Sequence, residues 1–164
     1  MSALSFQEGE KVVYPAHGVG VIDSIQIRKI SGSEQRFYMI TILETGMKIM
    51  VPVSQADSVG LRGVADGETI EKVFCILRER NVAVDTQTWN RRHREYTQKL
   101  KTGSVFEIAK VIRDLSVLRG DKELSFGERR MLDTAQGLLA REISVSLASS
   151  EEQAMARIEQ IFAE

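Results

Sequence analysis

A chain of 164 residues with 43% hydrophobic side chains and a formal net charge of -1 has material for one domain or two small ones, and is neither a histone-like polycation nor a disordered chain. One cysteine, Cys75, excludes an internal disulfide; within Val73-Phe74-Cys75-Ile76-Leu77 it reads as a small buried hydrophobe. Charge is unevenly spread: residues 1–68 carry six basic and eight acidic side chains, 69–120 eleven and six, and 121–164 five and nine, so a net-positive middle third lies between acidic neighbours.

From Phe6 to Val59 the pattern is strand-like. Lys11-Val12-Val13-Tyr14 is a short β-rich run ended by Pro15, and residues 18–25 alternate small and apolar side chains around Gly18 and Gly20. Arg36 to Leu43 is the strongest strand signal, β-branched and aromatic, with Ser31-Gly32-Ser33 before it and Glu44-Thr45-Gly46 after it. Met47 to Pro52 makes a further strand, joined to the last by that tight turn. Short strands with glycine corners predict a small, bent antiparallel sheet or five-stranded barrel.

After Asp66-Gly67 the apolar period changes from two to about 3.6. Capping-box sequences open three helices: Ser104-x-x-Glu107, Ser125-x-x-Glu128 and Ser150-x-x-Gln153. Each precedes an apolar stripe: Ile108, Val111, Ile112, Leu115 and Leu118; Leu132, Ala135, Leu139 and Ile143; Ala154, Ile158, Ile161 and Phe162. Two earlier helices fit residues 69–80 and about 87–101. The expected fold is α+β in two domains, a β domain over residues 1–67 and a compact five-helix domain over 68–164.

Chemistry is sparse. Two histidines, His17 and His93, and one cysteine make no zinc spacing, and there is no Walker loop. Gly18-Val19-Gly20 lacks a third glycine and a following helix, so it reads as a bend in a strand. No catalytic set, metal or cofactor is expected, and the chain reads as a binding protein. Neither a signal peptide nor a membrane-length apolar stretch is visible, so a soluble cytoplasmic protein is expected.

One cluster stands out. The only tryptophan, Trp89, opens Trp89-Asn90-Arg91-Arg92-His93-Arg94. Guanidinium groups pair with phosphates while a flat ring stacks on or wedges between bases, so the run suits nucleic acid. A second reading has equal weight: on a helix Trp89, His93, Tyr96 and Leu100 share one face and could be core, with Arg91, Arg94, Gln98 and Lys101 in solvent. N-cap candidates Asp85, Thr86 and Thr88 put Trp89 in a first turn, where a side chain can project past a bundle.

The segment Phe6-Gln7-Glu8-Gly9-Glu10-Lys11-Val12-Val13-Tyr14-Pro15-Ala16-His17-Gly18-Val19-Gly20 resembles the opening of the CarD/CdnL family of bacterial transcription regulators. It is also similar to the RNA-polymerase-interacting domain of the transcription-repair coupling factor. The resemblance continues in order through Val73-Phe74-Cys75-Ile76-Leu77-Arg78, Trp89-Asn90-Arg91-Arg92, Val111-Ile112-Arg113-Asp114-Leu115 and Leu124-Ser125-x-Gly127-Glu128-Arg129-Arg130-Met131-Leu132. Lacking the acidic, DNA-hook tail of larger members, the chain is expected to be the short, stand-alone type.

That resemblance implies a Tudor-like β domain bound to the RNA polymerase β subunit, through strands carrying Arg28, Ile30, Ile40, Met50 and Pro52. It implies a helical domain that touches promoter DNA, minor groove and phosphates, at the upstream edge of the melted region through Trp89, Arg91, Arg92 and Arg94. Where some relatives carry an arginine before the Val-Pro pair, this chain has Met50, so a polymerase contact at that position would be apolar. Ile40 and Met50 read either as an adhesive sheet edge or as barrel core. The expected role is to stabilise the open promoter complex without strong sequence specificity, as a monomer and without catalysis. A small β barrel beside a basic helical module would also suit an RNA- or ribosome-associated adaptor.

Overall fold

The computed structural model describes residues 5–79, 89–121 and 123–163. The fold is α+β, in two units, residues 1–64 and 65–164. In the first unit, strands β1 (Lys11–Tyr14), β2 (Gly18–Ile30), β3 (Ser33–Ile42), β4 (Lys48–Pro52) and β5 (Arg62–Gly63) form one antiparallel sheet in the order β4-β3-β2-β1-β5. This is the small five-stranded antiparallel β domain expected, with β4 and β5 at the two ends of the strand order.

Period-two alternation sets its inner face. Val12, Ile22, Tyr38, Ile40, Ile42 and Val51 are buried together, with Phe6, Ala56 and Leu61 covering them. Phe6 packs edge-on against Tyr38 at 5.7 Å, and its backbone N–H donates to the Tyr38 hydroxyl at 3.1 Å. Gly20 lies beneath Ile40; a Cβ there would stand 2.7 Å from Ile40 Cγ2. The strand glycine thus permits a close side-chain approach. β2 runs five residues beyond its expected end because Ser31 and Gly32, both at positive φ, make a two-residue hairpin loop that keeps pairing up to Ile30–Ser33.

The second unit holds α1 (Gly67–Arg78), α2 (Trp89–Lys101), α3 (Val105–Asp121), α4 (Phe126–Ser146) and α5 (Glu151–Ala163). The expected apolar stripes of α3, α4 and α5 line its core, with Leu118 and Phe162 at the margin. Asp66 caps α1 by accepting the Thr69 N–H at 2.8 Å. The expected start of α2 near residue 87, with its cap candidates Asp85, Thr86 and Thr88, lies outside the described residues. Two of the three capping boxes close reciprocally, at Ser125/Glu128 and Ser150/Gln153. At Ser104 only one arm forms, at 3.4 Å, because the Ser104 N–H goes to Thr102 Oγ1 and the Glu107 carboxylate to Lys110. Cys75 is exposed, contrary to expectation. Ile70, Val73, Phe74 and Leu77 fill the inward stripe of α1 at helical spacing, which turns Cys75 outward.

The unit boundary falls three residues before the expected one. Ala65 is held by α4: its N–H donates to Glu142 Oε2 at 2.9 Å, and its carbonyl accepts from Ser146 Oγ at 2.5 Å.

Candidate functional site

Two surfaces carry the residues singled out from the sequence, one in each unit. In the β unit they lie on three strands. Arg28 and Ile30 are exposed on the outer half of β2, where the β2–β3 ribbon extends past the core. Met50 is 46% exposed on edge strand β4, opposite Met39 of β3. Pro52 ends that strand, half-buried. Ile40 is a correction: it is 1% exposed, between Ile22 and Ile49 in the register, and belongs to the core. Residues 38, 40 and 42 share the inner face, so a surface role for Ile40 would require the strand to flip. Met50 thus lies on β4, a terminal strand of the sheet. Ile27, exposed on the ribbon, is a neighbour of Arg28 that the sequence reading passed over.

In the helical unit, α2 begins at Trp89. Arg91, His93 and Arg94 are exposed. His93, Arg94, Thr97, Gln98 and Lys101 line an open groove of about 350 Å³ along this helix. Arg92 is the second correction. It is 6% exposed, and its Nη1 donates to Glu128 Oε2 of α4 at 3.1 Å. Its charge is committed to a buried carboxylate and not to a phosphate. Among the described side chains of α2 the buried row is Arg92, Tyr96 and Leu100, at spacings of four, so His93 lies off the core face that one of the two readings gave it. Burial, and then the nearby Asp114 carboxylate, push the Tyr96 phenol up to about 12, while Arg92 opposes them. Trp89, Arg91 and Arg94 therefore fall on a helix whose inward side, among the described side chains, begins with the polar Arg92.

The same ion pair brings the first turn of α4 beside α2. Phe126 opens α4 and is 77% exposed, with Arg129 and Arg130 exposed just beyond it. Phe126 is not among the residues expected from the sequence. The available signal was its place directly after the cap Ser125, outside the Leu132-Ala135-Leu139 stripe. Among the described residues no group of three or more His, Cys, Asp or Glu could hold a metal ion, and no helix is long and apolar enough to cross a membrane.

Comparison with known proteins covers both units. Residues 6–65 match the family model described as the CarD-like/TRCF RID domain, and residues 72–159 match that of the CarD C-terminal domain. YdeB of Bacillus subtilis (strain 168), provisionally described as a transcription factor, is 32% identical over 148 residues, which span 90% of this chain and 96% of YdeB. Two solved structures are similar over the N-terminal part. CdnLNt from Myxococcus xanthus is 44% identical, covering 39% of this chain and 90% of its own, at a TM-score of 0.32. The 72-residue N-terminal domain of Myxococcus xanthus CarD is 28% identical, covering 38% and 84%, also at 0.32.

Proposed function

This chain belongs to the CarD family, whose members are linked to transcription, and from that premise we propose that it binds the RNA polymerase β subunit through its β unit and stabilises the open promoter complex through its helical unit. The observation that carries the second half is the start of α2. Trp89 opens the helix, with Arg91 and Arg94 exposed within its first two turns. Arginines there engage phosphates, and the indole stacks against an unstacked base step at the upstream edge of the bubble.

Met50 and the terminal position of β4 in the sheet support the first half. Strand addition lets backbone hydrogen bonds supply affinity while a side chain such as Met50 sets specificity. Arg28 and Ile30 widen that surface along the β2–β3 ribbon. The basic patch is small and the whole chain carries -1, so free duplex binds weakly and without sequence preference; docking on polymerase raises the local concentration.

A stacked aromatic contributes roughly 1–3 kcal/mol, or about five- to 150-fold in open-complex lifetime. No catalysis is needed for that effect. The test is a promoter footprint and a lifetime measurement with the whole protein, Trp89→Ala and Met50→Glu. Trp89→Ala shortens the lifetime without weakening polymerase binding; Met50→Glu abolishes capture of the β subunit. A folded Trp89→Ala protein with unchanged lifetime, or co-purification with ribosomes in place of polymerase, overturns the reading.

A further inference from the structure

The first two turns of α2 have an unusual anchor. Among their described side chains Arg91, His93, Arg94 and Glu95 are exposed, and only Arg92 is buried before Tyr96. No apolar side chain among residues 91–95 ties this end of the helix to the core. Arg92 does so through Glu128, with side chains 8% and 2% exposed.

Glu128 is committed on both sides. Its Oε1 accepts the Ser125 N–H at 3.0 Å, and its own N–H donates to Ser125 Oγ at 3.2 Å, closing the cap of α4. Its Oε2 takes Arg92. One carboxylate thereby seats the first turns of two helices against each other. A hydrophobic contact at this place would stabilise the unit at least as well, since a buried ion pair loses much of its attraction to desolvation. A paired guanidinium and carboxylate also fix direction, which a greasy contact does not.

We propose that the Arg92–Glu128 pair is the positioning device of the DNA-contacting helix end: it sets the orientation in which Trp89, Arg91 and Arg94 meet DNA, and Arg92 itself takes no phosphate. This rests on the function proposed above. Arg92 and Glu128 are positioning residues that act through Trp89, three positions before Arg92.

The test compares Arg92→Gln, Glu128→Gln and the double variant in the full chain. Trp89 is the only tryptophan, so its emission maximum and quenching by acrylamide report on this helix end. Arg92→Gln leaves Glu128 without its guanidinium. It shifts the Trp89 emission and shortens open-complex lifetime by at least half as much, on a logarithmic scale, as Trp89→Ala. In the double variant the two amides pair and the cap is retained, so the wild-type emission returns and most of the lifetime with it. The salt slope of DNA binding matches wild type in the double variant, whereas a lost phosphate contact would lower it by about one unit.

The proposal is overturned if the folded double variant has wild-type emission but keeps the short lifetime, because Arg92 then touches DNA itself. It is equally overturned if folded Arg92→Gln changes neither emission nor lifetime. Where Arg92→Gln does not fold, the double variant decides; if that unfolds too, the pair holds the whole unit and not one helix end. The emission arm does not depend on function. An inert Trp89→Ala with a normal emission response in Arg92→Gln rejects the functional reading and leaves the positioning intact.

Discussion

Replacing Ile40 by alanine should cost the β unit about 2–5 kcal/mol, the usual penalty for emptying a well-packed isoleucine site, since its side chain is buried among Ile22, Ile42 and Val51. Met50→Glu should change the same stability by no more than about 0.5 kcal/mol, because that side chain faces solvent. Urea denaturation of both variants beside polymerase capture separates the roles; a Met50→Glu protein that unfolds would make position 50 core. The difference was legible in principle: alternation along β3 puts Tyr38, Ile40 and Ile42 on one face, and that parity already assigns Ile40 inward. Gly20→Ala should destabilise by about 1–3 kcal/mol through overpacking, as the added methyl would meet Ile40 and the Thr41 carbonyl; an unchanged urea midpoint would mean that the sheet relaxes freely. Arg92 was harder to read. A basic run looks the same whether or not one member has a carboxylate partner 36 positions away. Only the spacing Arg92-Tyr96-Leu100 hinted that this arginine shares the inward row.

At the scale of elements, the capping sequences rank the helix starts. Ser125→Ala and Ser150→Ala should each cost about 1 kcal/mol, the typical loss of a side-chain N-cap, whereas Ser104→Ala should cost less because its bond to Glu107 N–H is long and has no return arm. Denaturation midpoints of the three variants check the order, and a Ser104→Ala loss as large as the others would contradict it. Helix starts were readable since Ser and Glu or Gln at that spacing satisfy orphan N–H groups locally. The failure at Ser104 came from competitors nearby, Thr102 and Lys110, which the motif does not include. The outer half of β2 was not readable for the opposite reason. Arg28 and Lys29 face the exposed Gln35 and Glu34 across the ladder, so no buried cross-strand pair imposes alternation there, and the backbone ladder carries the strand to its end. Its existence depends on the Ser31-Gly32 turn, whose two positive φ values match the twist of the strands it joins.

At the scale of the whole molecule, the apolar clusters of the two units share no residue among those described. A change of hydrophobic period near Asp66-Gly67 made that division visible. The finer boundary was set by side chains that sequence cannot place, Glu142 and Ser146 reaching back to both polar backbone groups of Ala65. Residues 1–64 and 65–164 made as separate chains should therefore each unfold cooperatively, and a helical piece begun at residue 67 should lose about 1–2 kcal/mol with the Ala65 clasp and the Asp66 cap. Those separate chains give the sharpest test of the joint mechanism. If the β unit serves to hold the helical unit at the bubble, joining them supplies an effective concentration in the millimolar range, typical of a short link. Unlinked halves at about micromolar concentration lack that advantage, which is worth about 10²- to 10⁴-fold in avidity. The free β unit should still capture polymerase, and the free helical unit should still bind duplex weakly, but their mixture should not lengthen open-complex lifetime. Restoration of the full lifetime by the equimolar mixture at micromolar concentration would show that Trp89 reaches the promoter without being delivered there.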